Sequence, residues 1–323
     1  MITEKRIKST LCQFIILEYN IFNMKNNQSF TLIEILAVVV ILGVVSSFIM
    51  INANNSRNQA EVAKGKAFSL SVVTNLAGSL VSQWKFDEIS AVTAGMTILD
   101  TWGANDGTLT GTPVLKTGAD CISGKCLEFD GTIKYITVPS NSSLQIIKNQ
   151  TIELWVKPNS FSARRNPICK AYGGELSIIQ ELNGSVHYLY GTSGINNSPY
   201  QAINTNYYLQ SNNWYHLLAV RDLTSASIKL KWFINGKQTN TATASFATAA
   251  ISTLPLYIAY GYSGNYYSGI IDEVKIYNDA LYVSQVQENY FAGINKLMTK
   301  NGIAKEEYNK RIVEINNNLI EHE

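Results

Sequence analysis

The feature that most constrains this chain is the run FTLIEILAVVVILGVVSSFIMI at residues 30–51, which holds twenty-two residues and a single charge, Glu34. At about 1.5 Å of rise per residue, a helix of that length reaches about 33 Å, the thickness of a bilayer's hydrocarbon core. A helix buried in a globular core is the competing reading, and a run this long argues against it. We therefore expect residues 30–51 to form a transmembrane helix. A carboxylate at the centre of a membrane segment costs about 2.5–3.5 kcal/mol and usually marks function. Glu34 stands four residues after Phe30, near the helix start, where the helix dipole softens that cost. Were the chain cut before Phe30, the new α-ammonium would lie one turn from this carboxylate, able to pair with it or with that of a neighbouring subunit.

Beyond this run the punctuation is uneven. All six prolines lie between Pro113 and Pro255, and 16 of the 21 glycines lie between Gly95 and Gly269. Because Pro and Gly interrupt helices and mark turns, the sequence predicts helix at both ends and a turn-rich β region between. With 26 Lys+Arg against 24 Asp+Glu, the net charge is +2. That balance excludes a strongly basic nucleic-acid binder and an acidic disordered tail. Three His and four Cys leave little for a zinc enzyme.

The order Ser29-Phe30-Thr31-Leu32-Ile33-Glu34, followed by the apolar run with Gly43, resembles the N-terminal methylation motif of type IV pilins and pseudopilins. The resemblance implies a prepilin peptidase that cuts between Ser29 and Phe30, methylation of the new N-terminal Phe30, and Glu34 aligning subunits during assembly. The family prefers Gly before the cut, where this chain has the small Ser29. Met24 to Ser29 would then be a short leader with one positive charge, consistent with a cytoplasmic N-terminus. Residues 1–23 read as a mis-called upstream extension, or else as a real N-terminal arm. A mature chain from Phe30 would carry 22 charges of each sign. From Asn54 to Ser82, Val62, Phe68, Val72, Val73, Leu76, Leu80 and Val81 recur near helical spacing, so the stem helix is expected to continue to residue 83.

From Trp84 onward short alternating segments are separated by turn signals. Candidate strands are 84–88, 125–130, 134–139, 151–158, 175–182, 186–191, 214–222, 228–234, 255–261 and 269–277, with Asn235-Gly236 as a type I′ hairpin turn. The predicted fold is mainly β: a two-sheet antiparallel jelly-roll sandwich on a long N-terminal helix, with a short helical C-terminal tail. The stretches Trp84-Lys85-Phe86-Asp87-Glu88, Asn105-Asp106-Gly107, Leu127-Glu128-Phe129-Asp130-Gly131, Trp214-Tyr215-His216, Phe233-Ile234-Asn235-Gly236 and Gly269 to Tyr277 resemble, in that order, a laminin-G-like jelly roll of the concanavalin A-like lectin/glucanase superfamily over residues 84–278. That resemblance implies two curved sheets face to face and, often, a sugar or protein ligand.

Hydrolysis of a glycoside needs two carboxylates about 5–10 Å apart, and the glucanase branch arranges them as E-x-D-x-E on one strand. This chain has no such triplet. Asp87-Glu88 and Asp272-Glu273 are adjacent pairs, expected to point to opposite faces of a strand, and neither His187 nor His216 has a nucleophile pattern beside it. No catalytic residue is assigned and no enzyme is expected. A structural Ca²⁺, which takes six to eight oxygen ligands, is the one cofactor to consider. Asp87 and Asp272 are its candidate ligands, with capping or solvated carboxylates the alternative. Trp155 and Trp214 read as core, while Tyr257, Tyr260, Tyr262, Tyr266 and Tyr267 cluster around a loop and suit a ligand or a neighbouring subunit.

Outside the extension that holds Cys12, Cys121 and Cys126 flank the turn Ile-Ser-Gly-Lys, and an external location favours a disulfide between them; Cys169 is left single. Residues 279–323 read as a helical tail, broken at Asn301-Gly302. Lys296-Leu297-Met298, Gly302-Ile303, Glu306-Glu307-Tyr308 and Arg311 are similar to short helical-hairpin tails; a solvated tail is the other reading. The whole is a pilin-like or pseudopilin-like subunit, single-pass in the cytoplasmic membrane with its head outside, for adhesion or binding. Its expected partners are the peptidase, other pilin-like subunits, the membrane and a glycan or protein ligand, with no nucleic acid. A monomeric membrane-tethered carbohydrate-binding module is the first alternative and a tethered glycosidase the second.

Overall fold

A computed structural model describes Leu32, Leu36, Val39, Val40, Leu42 and Leu76 singly, then residues 78–224 and 229–320, with side chains through Ile315. The chain divides into two units, residues 1–61 and 62–323. In the first, the five described residues are helical and exposed. Among the described residues no helix is long and apolar enough to cross a membrane. The expected span 30–51, with Ser29, Phe30 and Glu34, lies otherwise outside the described residues.

The second unit is a β-sandwich. Its strands are β1 (Leu80–Trp84), β2 (Thr97–Ile98), β3 (Gly107–Thr110), β4 (Val114–Thr117), β5 (Lys125–Asp130), β6 (Tyr135–Val138), β7 (Gln150–Pro158) and β8 (Arg165–Cys169). They continue as β9 (Ser177–Gln180), β10 (Val186–Gly191), β11 (Tyr200–Asn204), β12 (Tyr215–Asp222), β13 (Lys229–Ile234), β14 (Lys237–Thr243), β15 (Leu256–Ile258) and β16 (Ser268–Tyr277). One sheet runs β14-β13-β12-β7-β16-β5-β4, with β1 also pairing β16; the other runs β11-β10-β9-β8-β15-β6-β3-β2. Every described pairing is antiparallel. The two inner faces meet through Ile152, Leu154, Val156, Leu217, Trp232 and Ile276 from one sheet and Ile136, Ile168, Ile178, Tyr188 and Leu256 from the other. At Asn235 (φ 53°) and Gly236 (φ 76°) both central residues take positive φ, as a two-residue I′ hairpin requires.

The first strand departs from expectation. Gly78 and Ser79 form a turn, Ser79 N–H donating to the Leu76 carbonyl, and β1 begins at Leu80, within the segment expected to be helical. It ends at Trp84, and Phe86 has a positive φ of 65°, so residues 85–88 leave the sheet. Six strands were not among those expected: β2, β3, β4, β8, β11 and β14. β2, β4, β11 and β14 are short or edge strands with polar faces, where alternation carries little signal; β3 has only four residues, and β8, inside the second sheet, is buried at four of its five positions, so it shows no alternation.

The outer face of the first sheet is covered rather than solvated, which adds a third layer. Helix α1 (Val283–Thr299) buries Val286, Tyr290, Gly293, Ile294 and Leu297, a stripe at helical spacing. Asn301, at φ 59°, and Gly302 close it: their amides donate to the Met298 and Leu297 carbonyls. Helix α2 (Lys305–Ile320) returns with Ile315 buried. The tail is therefore docked on the sheet, not solvated. Beneath it lie Trp155, Trp214 and Ile270 together with the Cys121–Cys126 pair, while Leu76, Leu218, Val220, Phe233 and Tyr277 pack as a neighbouring group. This layer explains why β7 is buried at nearly every position: alternate side chains enter the sandwich core and the helix interface.

Candidate functional site

Three groups of chemistry-bearing side chains stand out. The first lies under α1. Glu153 faces outward from β7, fully buried, and its carboxylate accepts hydrogen bonds from Lys275 Nζ (2.9 Å), Tyr277 OH (2.8 Å) and Asn289 Nδ2 (2.6 Å), while His216 Nε2 lies 3.2 Å away. Burial by itself would raise the Glu153 pKa; the Lys275 ammonium and His216 more than offset it and hold the carboxyl well below the usual carboxylate range. Glu273, nearby, accepts from Gln83 Nε2 and Lys296 Nζ, both at 3.0 Å. Burial raises its pKa too, yet Lys296 and Lys275 bring it down to about 2. A charged residue inside the apolar strand TIELWVKP was the sequence signal for this network. Its partners come from β12, β16 and α1 and could not be read from spacing.

The second group surrounds the disulfide, in which Cys121 and Cys126 are bonded (S–S 2.07 Å). Asp272 and Asp87 grip this loop from two sides. Asp272 Oδ2 accepts from Ile122 N (2.8 Å) and Ser123 N (3.0 Å), Asp272 Oδ1 from Glu273 N (2.8 Å), and Asp87 Oδ1 from Lys125 N (2.7 Å). Gly124 is needed for the fit: a β-carbon there would meet Asp87 Oδ1 at 2.0 Å. Burial and the adjacent Glu273 push the Asp272 carboxyl well above its ordinary value. The pair Asp272-Glu273 does not follow regular strand alternation. A bulge between Asp272 and Lys275, with Glu273 at φ 49°, leaves both carboxylates buried. Among the described residues the one set of three neighbouring potential metal ligands is Cys121, Cys126 and Asp272. The donor set does not fit Ca²⁺: two members are sulfurs joined to each other, and the Asp272 oxygens already hold three N–H donors.

The third group is a tyrosine face on the outside of the second sheet. Tyr135 and Tyr260 stack at 4.9 Å between centroids, Tyr260 and Tyr266 at 4.9 Å, and Tyr257 meets Tyr260 edge-on at 4.9 Å. Tyr262 stands edge-on to Tyr257 and to Tyr172. All six rings are half-buried. Tyr267 is not among them: it is fully buried in the sandwich core. Tyr135 and Tyr172 join from β6 and from the turn after β8, far away in sequence. Buried Cys169 lies on the same side, where burial pushes its thiol up to about 12, and burial also raises Tyr172 to about 12. Trp155 and Trp214 are buried as expected, yet in the layer under the helices rather than between the sheets. His216 is buried there too, and His187 is half-buried on β10.

Two antiparallel sheets packed face to face in this order form a jelly-roll-like sandwich. Residues 130–287 match the family model of the concanavalin A-like lectin/glucanases superfamily, and residues 24–50 match the prokaryotic N-terminal methylation motif. The chain thus joins a type IV pilin methylation motif to a laminin-G-like domain. Among solved structures it is similar to domain 4 of AbnA, a GH43 extracellular arabinanase from Geobacillus stearothermophilus, in complex with arabinotriose. The identity there is 22%, the TM-score 0.51, and the coverage 65% of this chain and 97% of that one. It is also similar to botulinum neurotoxin type C, whose cell entry depends on two ganglioside molecules (15% identity, TM-score 0.50, 68% of this chain and 52% of that one). The binding domain of botulinum neurotoxin DC in complex with rat synaptotagmin II is similar at 14% identity and TM-score 0.51, over 67% of this chain and 52% of that one. The chain spans about half the length of the toxin chains it matches. At these identities the likeness is one of fold. Comparison with curated proteins finds no match.

Proposed function

We propose that this chain is a pilin-like or pseudopilin-like subunit, cut by a prepilin peptidase between Ser29 and Phe30 and held in the cytoplasmic membrane by residues 30–51. Its jelly-roll head, residues 84–278, stands outside and binds a glycan or protein ligand. The observation that carries the reading is the methylation motif on the same chain as a concanavalin A-like domain. The neighbour in complex with arabinotriose and the ganglioside-dependent toxin support a sugar-bearing ligand. The half-buried tyrosine face offers flat aromatic surface with hydroxyl edges, the amphipathic character suited to ligand contact. The carboxylates of Glu153, Asp272 and Glu273 are all buried. The proposed role is therefore binding.

Cleavage supplies the α-ammonium that Glu34 needs as a partner at membrane depth. The test is direct. Peptide mass spectrometry of membrane fractions should find an N-methylated Phe30 as the first residue, and Glu34→Ala should abolish filament assembly while the head still folds. An N-terminus at Met24 would remove the main support for polymerisation, and unchanged behaviour of Glu34→Ala would favour a monomeric tethered binding module.

A further inference from the structure

A second surface has no part in that reading. A cavity of about 510 Å³ opens where α2 crosses the β13–β14 hairpin and the segment between β11 and β12. This is the size range of pockets that enclose most of a small ligand. Gly236 makes its floor possible: a β-carbon there would come within 3.0 Å of Ile315 Cδ1 and 3.1 Å of Tyr290 Cδ1. Trp214, Tyr207, Thr239, Lys237 and Arg311 are on its wall.

The wall is rich in unused donors. Trp214 is only 6% exposed, and its Nε1–H has no hydrogen-bond partner. Thr239 Oγ1 and Arg311 Nη1 are buried and unpartnered as well. Arg311 Nε donates to Glu307 Oε1 at 2.7 Å, and its guanidinium also interacts with the Tyr290 side chain. A buried donor without an acceptor is costly and rare in folded proteins, and three on one wall of one cavity suggest acceptors supplied from outside. Lys237, Lys310 and Arg311 bring three cations against the two carboxylates Glu307 and Glu314. Tyr207, 40% exposed, stands on the rim with its ring edge-on to Tyr215.

We infer that this cavity is a binding site for a carboxylate-bearing saccharide, a short oligosaccharide containing a uronic acid. Acceptor oxygens of the sugar reach Trp214 and Thr239, the carboxylate faces Arg311 and Lys237, and aromatic surface at the rim packs against the pyranose. A neutral sugar would leave the excess cation uncompensated, and a purely aliphatic acid would leave the indole N–H and the hydroxyl unmatched. The site is distinct from the tyrosine face and does not depend on polymerisation.

The test is isothermal titration of the detergent-solubilised full-length chain with trigalacturonate, with maltotriose as the neutral control. Trigalacturonate should bind saturably and more weakly at high salt, whereas maltotriose should not bind. Trp214→Phe keeps an aromatic ring but deletes the donor, and should weaken binding about tenfold, the worth of one well-made hydrogen bond. The smaller ring also gives up buried contacts, so binding is compared under conditions where circular dichroism shows both proteins folded. Arg311→Lys should weaken binding similarly. Equal binding of maltotriose, no binding of trigalacturonate, or full affinity in both variants would overturn the site. Loss of binding in Tyr260→Ala with full affinity in Trp214→Phe would also overturn it, placing the ligand on the tyrosine face. Failure of Glu34→Ala to affect assembly bears on the filament reading alone.

Discussion

Gly293 of α1 lies so close to the Trp155 indole that a β-carbon at position 293 would come within 2.4 Å of Cζ2 and 2.8 Å of Cε2. The helix reaches the sheet only because one residue on its buried stripe has no side chain. Trp155 is itself held, stacked on Tyr290 at 5.7 Å and 1% exposed, so it has little room to yield. Gly293→Ala gains about 1 kcal/mol of helix propensity but forces an overpacked contact costing about 1–3 kcal/mol. The expected net result is a lower melting temperature, read by circular dichroism. A variant as stable as the wild type would mean that α1 is not seated this closely.

Glu153 ties β7, β16 and α1 together. Glu153→Gln leaves the Lys275 ammonium without its carboxylate, and breaking a buried pair in this way costs about 3–5 kcal/mol. Urea denaturation should show a midpoint lowered accordingly. A change under about 1 kcal/mol would show that Lys275 finds another partner.

The same carboxylates set the acid response. Glu153 and Glu273 have folded-state pKa values below their ordinary value, Glu273 at about 2. Their contribution to stability is therefore complete above the ordinary glutamate range and is lost as pH falls through it toward the folded values. Asp272, raised by burial and Glu273, acts in the opposite sense, its contribution falling as pH rises from the ordinary carboxylate value. Denaturation midpoints at pH 7 and pH 3 should differ in favour of pH 7, and Glu153→Gln should reduce that difference.

The Cys121–Cys126 loop is short, so on the chain-entropy account its bond contributes about 2 kcal/mol. It also presents the Ile122 and Ser123 amides to Asp272. Reduction, or the double change Cys121→Ser with Cys126→Ser, should lower stability by at least that amount in thermal melts. An unchanged melting temperature would show that Asp87 and Asp272 hold the loop unaided.

Much of this architecture was legible in order along the chain. The strands β5, β6, β7, β9, β10, β12, β13, β15 and β16, the Asn235-Gly236 turn and the paired Cys121 and Cys126 are all local patterns, set by periodicity or by backbone conformations that few residues adopt. The edge strands β4, β11 and β14 were not, because an exposed polar strand looks like a loop until a neighbour pairs with it.

What only tertiary structure decided is which groups meet. Glu153 lies more than a hundred residues along the chain from both Lys275 and Asn289, and the three converge because β7 pairs with β16 and α1 folds back over the first sheet. Tyr135 and Tyr172 join the later tyrosines through strand pairing, and Trp214 meets Arg311 only where α2 crosses a hairpin. Local sequence dictates period and turn. The partners of a buried charge are chosen by packing across elements, where desolvation makes an unpaired group too costly to leave alone.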